Sequence, residues 1–386
     1  MTIHADTVQT TQADRLARLE PVLDQLRERR EEFQSQRYVS RDFIDALKPA
    51  GVYRASTPAR FGGDPLAPTD FLDIIERISR VDGSTGWVAS FGSALVYLAA
   101  LPLETQAELY AKGPDVVFAG GLFPVQPAAA TDTGYLVNGR WKFASGCMGA
   151  DILGVGLPGD AASDNKPRTA LLRPESAEII QEWDVSGMRG TGSFDIAVRN
   201  VEVPREWTFI RGGAPTVDEP LYRYPTIAYA AQVLAIVGAG VARAALDFAE
   251  GEGSGATGVT GAPKLGDRAY FRTGFAAATA ALESARSWFY EVTNAAWATV
   301  LAGDPVTDAQ NARLRLASSN LATVSAKVVN DVSHITGTGT IYTRHPLHRL
   351  GADSFVPQQH AFLGPSMLDA AGSVLLGSAP TVPGFR

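Results

Sequence analysis

Apolar residues recur with a helical period in the first third of the chain. Leu16, Leu19 and Leu23 are separated by three and four positions, which places them on one face of a helix that we expect to end near Gln36. Further helical segments are predicted over 41–48, 69–81, 85–100 and 103–112. The pattern therefore predicts an N-terminal helical domain over residues 1–114.

The pattern changes between Asp115 and Phe209. Short alternating or apolar runs follow one another there, among them GYLVNGRWKFAS, ILGVGL and FDIAVRNVEV, and turn residues separate them. These runs predict a central β domain of barrel-like form over 115–212. Helical periodicity returns over 225–250, 267–301 and 307–336, with a last piece after Pro357, so we expect a helical bundle over 213–386. The fold class is α+β, in the order α, β, α.

Composition and charge narrow the function classes. The chain has 386 residues, 45% of them hydrophobic, and its net charge of −7 offers no basic field for nucleic acid. No window approaches the roughly 20 apolar residues of a membrane span, and the first residues lack a signal-peptide pattern, so we expect a cytoplasmic protein without a membrane partner. The single cysteine, Cys147, rules out an internal disulfide and a cysteine-rich metal site. We expect no metal, and we expect Cys147 to pack as a small apolar residue rather than to act as a nucleophile.

One segment has the spelling of a dinucleotide-binding motif. Gly253, Gly255 and Gly258 match GxGxxG, but a true fingerprint follows a strand and opens a helix. Here the motif follows a predicted helix and opens a polar loop. We interpret it as a linker and predict no nicotinamide site.

Glycine-rich corners recur at the ends of the predicted strands. They are FAGGLFP over 118–124, GMRGTGS over 187–193 and the Ser-Gly that ends GRWKFASG. Glycine lets a ligand approach the backbone closely, and Ser145, Thr191 and Ser193 add hydroxyl groups. Each corner alone is typical of a tight turn. Together, the three corners could line one flat ligand with polar edges.

Four motifs, in this order, resemble those of a known family. They are GSTGWV (83–88), GYLVNGRWKFASGC (134–147), WDVSGMRGTGSFDIAVRNVEVP (183–204) and HPLHRLGADSFVPQQH (345–360). They are similar to the acyl-CoA dehydrogenase superfamily, and most similar to its two-component flavin-dependent monooxygenases that hydroxylate aromatic compounds. The resemblance implies an N-terminal helical domain, a central β barrel-like domain and a C-terminal four-helix bundle.

The resemblance also implies a flavin site on the β domain. Phe143, Ala144 and Ser145 would back the isoalloxazine ring, with Ser145 near N5 through its hydroxyl or its amide. Other implied cofactor-binding residues of the same subunit are Leu122, Phe123, Pro124, Arg189, Thr191, Gly192 and Ser193. The family often uses the stretch equivalent to Gly337, Thr338, Gly339 and Thr340 to reach the flavin of a neighbouring subunit, so a homotetramer is implied.

Dehydrogenases and monooxygenases of this superfamily need different catalytic groups. Dehydrogenation of an acyl-CoA needs a carboxylate base, and many relatives carry a glutamate at the position that Arg344 occupies here. His360 matches the C-terminal active-site histidine of the monooxygenases, with Arg349 and Asp353 in its frame. We therefore assign His360 and Ser145 as catalytic residues of a monooxygenase. A dehydrogenase with its glutamate elsewhere, or a relative that binds flavin without turnover, stays open.

The implied substrate pocket is less polar than in phenol-hydroxylating relatives. Those relatives place a histidine, a serine and a second histidine where this chain has Leu95, Gly120 and Gly149. A phenolate left unpaired in such a pocket would cost several kcal/mol. We therefore expect indole or a similar heteroaromatic substrate, with a phenol, sulfur or amine substrate as the alternative. The predicted pocket residues are Trp87, Phe91, Leu95, Gly120 and Gly121.

The implied reaction uses reduced flavin, O2 and a flavin C4a-hydroperoxide. FAD is the expected cofactor, and FMN stays possible within the resemblance. Because the sequence shows no nicotinamide site, a separate NAD(P)H-dependent flavin reductase is the expected partner.

Overall fold

The N-terminal third is built from short helices around one long helix. A computed structural model describes residues 10–255, 263–382 and 384–385; part of the predicted glycine-rich linker lies outside them. The first helix begins at a capping box formed by Thr11 and Asp14. The helices of this part are α1 (Gln12–Gln36), α2 (Arg41–Ala46), α3 (Pro68–Val81), α4 (Gly83–Ser90), α5 (Leu95–Leu98) and α6 (Leu103–Leu109).

The helix over 85–100 is not continuous as predicted. It is interrupted by a 3-10 turn over Phe91–Ala94 that separates α4 from α5. The hydroxyl of Ser90 donates to the carbonyl of Trp87 at 2.7 Å, and that of Ser93 donates to the carbonyl of Ser90 at 2.8 Å. Such bonds compete with helical pairing of the same carbonyls, which favours the tighter turn.

The strands form two four-stranded sheets that share one apolar core. Their order is β1-β4-β5-β8 in one sheet and β2-β3-β7-β6 in the other. All pairings are antiparallel except that of β1 with β4. The barrel-like form expected from the sequence is thus a pair of facing sheets. The strands are β1 (Phe118–Gly121), β2 (Ala128–Ala130), β3 (Gly134–Ala144), β4 (Ile152–Leu157), β5 (Arg168–Leu172), β6 (Glu178–Ile180), β7 (Phe194–Pro204) and β8 (Thr208–Ile210).

The C-terminal part is a bundle of long helices. One of them, α8 (Thr226–Ser254), is long and apolar enough to span a membrane by length and composition. Most of its apolar stretch is buried inside the protein, as is typical of a central bundle helix. The helices are α7 (Pro220–Arg223), α8 (Thr226–Ser254), α9 (Ala269–Leu301), α10 (Asp308–Thr336), α11 (Pro346–Gln359) and α12 (Pro365–Leu375).

The last helical piece predicted after Pro357 corresponds to α12, and the helix before it, α11, was not predicted. Helix α11 begins eleven residues before Pro357, with Pro346 in its first turn and His345 as its cap, and Pro357 lies inside its last turn. Proline is well suited to the first turn because its missing N–H has no partner there. Asp353 of α11 consequently faces the β region.

Trp141 of β3 ties the two sheets together behind the glycine-rich corners. Its side chain is fully buried, and its indole N–H donates to the carbonyl of Gly156 in β4 at 2.7 Å. The bond joins a strand of one sheet to a strand of the other. It holds the end of β3, where Phe143 and Ser145 lie.

Replacement of Trp141 tests this link. Trp141→Phe removes the indole donor, but the Gly156 carbonyl still accepts from the amide of Gln126 at 3.2 Å, so we expect a loss of about 0.5–1.5 kcal/mol in the free energy of unfolding. Trp141→Ala adds a cavity, and we expect a loss of about 3–5 kcal/mol. Urea unfolding followed by circular dichroism measures both. Equal stability of the Phe variant and the native protein would show that the bond is not needed.

Candidate active site

The end of strand β3 turns sharply at the residues predicted to back a flavin. Phe143 adopts a left-handed conformation with φ of 62°, and Gly146 has φ of 75°. The amide of Gly146 donates to the carbonyl of Thr191 at 2.9 Å, which joins this turn to the corner over 187–193. Two of the three glycine-rich corners are therefore neighbours in space.

A chain of buried hydroxyls runs along the joined corners. The indole N–H of Trp87 donates to Ser145 Oγ at 3.2 Å, and the oxygens of Ser145 and Ser193 lie 2.7 Å apart. Those of Ser193 and Thr191 also lie 2.7 Å apart, and Thr191 Oγ1 donates to the carbonyl of Met188 at 2.8 Å. All three hydroxyl residues are at most 5% exposed.

The groups at the two ends of this series of hydroxyls determine the direction of its hydrogen bonds. Because the Thr191 proton goes to a carbonyl, Thr191 accepts from Ser193, and Ser193 in turn accepts from Ser145. Ser145 thus accepts from Trp87 and donates to Ser193, which leaves one lone pair of its oxygen unused. This group can accept a hydrogen bond from a ligand N–H. Reduced flavin carries such an N–H at N5, so the hydroxyl fits the reduced form of the cofactor.

Asp353 fixes the corner that carries Thr191 and Ser193. Its carboxylate accepts from the amide of Met188 at 2.6 Å, and its side chain is 2% exposed. Met188 has a left-handed φ of 53°, so this backbone needs support from outside its own turn. Burial, followed by the charge of Asp82, raises the pKa of Asp353 to about 7.

The candidate catalytic histidine lies close to this chain. The rings of His360 and Trp87 are 6.0 Å apart, edge to face. The amide of Phe362 donates to His360 Nδ1 at 3.1 Å, so the neutral imidazole carries its proton on Nε2. Burial and the charges of Arg211 and Arg315 lower the pKa of His360 to about 4. At neutral pH the histidine is therefore an uncharged hydrogen-bond donor.

Two exposed aromatic rings stand at the edge of the candidate flavin site. Phe123 and Phe143 are 56% and 64% exposed, and the amide of Lys142 brings their segments together by donating to the Phe123 carbonyl at 3.0 Å. Among the described residues, Arg189 has no hydrogen-bond or ion-pair partner. Exposed apolar ring surface suits the flat ring of a flavin.

The other predicted residues are placed as follows. Trp87 is 6% exposed, Leu95 is fully buried in a cluster with Phe118, and Phe91 is partly buried at the edge of that cluster. A side chain at Gly121 would be crowded, because its Cβ would lie 3.0 Å from the carbonyl of Lys142. A Cβ at Gly149 would lie 2.2 Å from the end of the Ile44 side chain, which would have to move. Their pocket role stays a prediction.

The segment Gly337 to Thr340 lies away from this site within one chain. It follows α10 and forms a 3-10 turn over Thr338–Ile341, and no described contact joins it to the hydroxyl chain. Its assignment to the flavin of a neighbouring subunit stays a prediction. Two surface depressions, of about 590 Å³ beside Arg286 and about 190 Å³ beside Trp207, also lie outside the site. Cys147 is 2% exposed, and burial raises its pKa to about 12, so it packs as an apolar residue.

Sequence reasoning missed four residues around His360. The ring of Phe362 contacts His360, Arg211 and Arg315 lie over that ring, and Tyr97 lies near the two arginines. The helical pattern could have indicated a buried Arg315, because this residue lies on the buried face of α10, four residues before Ser319. The others come from separate elements and had no signal in the local pattern.

Comparison with known proteins agrees with this geometry. Residues 13–112 match the family description "Acyl-CoA dehydrogenase, N-terminal domain" and residues 232–365 match "Acyl-CoA dehydrogenase, C-terminal domain". The indole-3-acetate monooxygenase of Pseudomonas putida is 50% identical over 369 residues, which are 95% of each chain. The chain belongs to the acyl-CoA dehydrogenase family. Its similarity to named monooxygenases identifies it as an oxidoreductase of the monooxygenase type.

Two further relatives extend the comparison. The indole-3-acetate monooxygenase of Acinetobacter baumannii is 45% identical over 376 residues, which are 96% of each chain. The structure of XiaF from a Streptomyces species, in complex with FADH2 and glycerol, superposes with a TM-score of 0.89 at 18% identity. The superposition covers 96% of this chain and 97% of XiaF. At this identity, the superposition shows the fold alone.

The depressed pKa of His360 predicts a pH dependence of stability. The ordinary pKa is 6.5 and the folded value is about 4, so the unfolded chain takes up this proton first as the pH falls. We expect the native protein to lose stability between pH 6.5 and pH 4, and His360→Gln to lose less over the same range. Urea unfolding at pH 7.5 and pH 5 measures the difference. His348→Gln, at an exposed position of α11, is the control. An identical pH dependence in all three proteins would contradict the assignment.

The Asp353 contact predicts different outcomes for two substitutions. Asp353→Asn keeps an oxygen acceptor for the Met188 amide, whereas Asp353→Ala leaves that amide buried without one. We expect the Ala variant to be about 1–3 kcal/mol less stable than the Asn variant, as measured by urea unfolding. Equal stabilities would show that the contact does not support the corner.

Proposed function

We propose that this protein is the oxygenase component of a two-component flavin-dependent monooxygenase that oxygenates an indole. The observation that carries the proposal is the arrangement of Ser145, Trp87 and His360, with an unused acceptor at Ser145 and a neutral donor at His360. Reduced flavin bound at this site would supply the electrons that activate O2. FAD is the proposed cofactor, and FMN has the same isoalloxazine ring.

The alternative of an acyl-CoA dehydrogenase lacks support in the site. Among the described residues, no Asp or Glu forms a hydrogen bond with Ser145, Trp87 or His360. Arg344, at the position of the common glutamate base, is exposed and stacks on Tyr342 at 5.1 Å. Removal of a substrate proton by a carboxylate therefore has no candidate group at this place.

An indole ring suits the apolar character of the predicted pocket. Leu95 is fully buried, and Gly120 and Gly149 carry no polar side chain where phenol-hydroxylating relatives place one. An indole has one N–H and an electron-rich ring, so it needs no phenolate-binding group. Two relatives are named indole-3-acetate monooxygenases, which makes indole-3-acetate the first substrate to test.

Each residue has a separate proposed role. Ser145 would accept a hydrogen bond from the reduced cofactor, and its link to Ser193 would keep its hydroxyl oriented. His360 would donate from Nε2 to the substrate or to bound oxygen. Phe123 and Phe143, both exposed, would cover the edge of the flavin ring and exclude water from it.

The partners follow from the same proposal. Because this chain shows no nicotinamide motif in a suitable context, a separate NAD(P)H-dependent reductase would deliver the reduced flavin. A homotetramer would bring Gly337 to Thr340 of one subunit to the flavin of another. A cytoplasmic location would suit an enzyme that depends on a reductase and NAD(P)H.

An isotope experiment tests the proposed activity. The protein is mixed with chemically reduced FAD, ¹⁸O2 and indole-3-acetate or indole, and products are analysed by mass spectrometry. We expect one ¹⁸O atom in the product and less hydrogen peroxide than in a reaction without substrate. A second reaction with acyl-CoA and oxidised FAD tests the dehydrogenase alternative. Bleaching of FAD by acyl-CoA, without ¹⁸O product, would overturn the proposal.

A further inference from the structure

Two arginines face the same aromatic ring beside His360. The guanidinium carbon of Arg211 lies 5.3 Å from the centre of the Phe362 ring, and that of Arg315 lies 5.4 Å from it. The rings of Phe362 and His360 are 5.0 Å apart. Both cations therefore lie within one side chain of the candidate catalytic histidine.

Neither arginine has a carboxylate partner among the described residues. Arg315 is 1% exposed, and its only polar contacts within the described ranges are the carbonyl of Ile227 at 3.4 Å and the sulfur of Met367. Its Nε has no hydrogen-bond acceptor. Arg211 is half-buried, and in the described part of the chain it has no hydrogen bond or ion pair. Buried arginines are normally paired, so this arrangement needs an explanation.

The electrostatics of the cluster favour an anion. Burial, together with the charge of Arg211, lowers the pKa of Arg315 to about 10, so Arg315 is still charged at neutral pH. His360 is neutral there, because its pKa is lowered to about 4. The hydroxyl of Tyr97, which lies near both arginines, donates to the carbonyl of Thr226 and is itself neutral. A bound anion would offset the repulsion between the two cations.

We propose that Arg315 and Arg211 bind the carboxylate of an aromatic carboxylate substrate such as indole-3-acetate. The guanidinium group presents a planar set of donors that matches a carboxylate. Ser145, Trp87, His360 and Phe362 form a continuous series of contacts from the candidate flavin wall to the arginines. A substrate ring near Trp87 and His360 would extend its acidic side chain towards this pair. The inference rests on the proposed function for the identity of the ring.

A structural role for Arg315 makes a different prediction. Its guanidinium carbon also lies 5.3 Å from the ring centre of Phe385, near the end of the chain, so it could serve only to pack two aromatic rings. A packing role would affect charged and neutral ligands equally. Discrimination between such ligands therefore separates the two roles.

The test compares indole-3-acetate with its neutral analogue indole-3-acetamide. Binding of each to the full-length protein is measured by calorimetry, for the native protein and for Arg315→Met, which removes the charge and keeps most of the volume. We expect the native preference for the carboxylate to fall by about 10- to 100-fold in the variant. Arg313→Met, at an exposed position of the same helix, is the matched control and should keep the native preference.

A second variant covers the case in which Arg315→Met fails to fold. Arg211→Met alters a half-buried position in the turn after β8, and it should also lower the preference for the carboxylate. Equal losses for both ligands, or an unchanged preference, would overturn the proposal. A loss of FAD affinity with unchanged carboxylate preference would assign the arginines to the cofactor phosphates and overturn it as well.

The outcomes also separate this inference from the proposed function. If the native protein prefers indole-3-acetate through Arg315 but forms no ¹⁸O product, the carboxylate site stands and the proposed reaction fails. If it oxygenates indole but does not prefer the carboxylate, the reaction stands and the carboxylate site fails.

Discussion

The candidate site depends on the bond between Asp353 of helix α11 and the amide of Met188. This bond joins the C-terminal bundle to the corner that carries Thr191 and Ser193. Without it, the left-handed backbone of Met188 would be supported only by the short turn in which it lies. The hydroxyl chain ends at the carbonyl of the same Met188, so the direction of every bond in the chain depends on this residue.

This constraint couples three parts of the molecule. The N-terminal helices supply Trp87, the sheets supply Ser145 and Ser193, and the C-terminal region supplies His360. Each part also has its own apolar core or shares one, so the site lies where separately packed surfaces meet. Ligand sites are commonly located at such places between structural units.

The electrostatic environment divides the site into two halves. The half around Ser145 is made of neutral hydroxyls and aromatic rings, whereas the half beyond His360 carries two cations without carboxylate partners in the described residues. His360 lies between them and is kept neutral by both burial and the cations. The arrangement suits a substrate with an apolar ring at one end and an acidic group at the other.

Local periodicity in the sequence predicts the order α, β, α and most helix faces. The chemistry of glycine and hydroxyl residues marks the strand ends. The sequence motifs also identified Ser145 and His360 as candidate residues and showed the absence of the common glutamate. The break between α4 and α5, the presence of α11 before the last helix and the meeting of Arg211 with Arg315 came only from the three-dimensional structure. These features depend on hydrogen bonds of individual serines and on contacts between residues about a hundred positions apart, which no local pattern encodes.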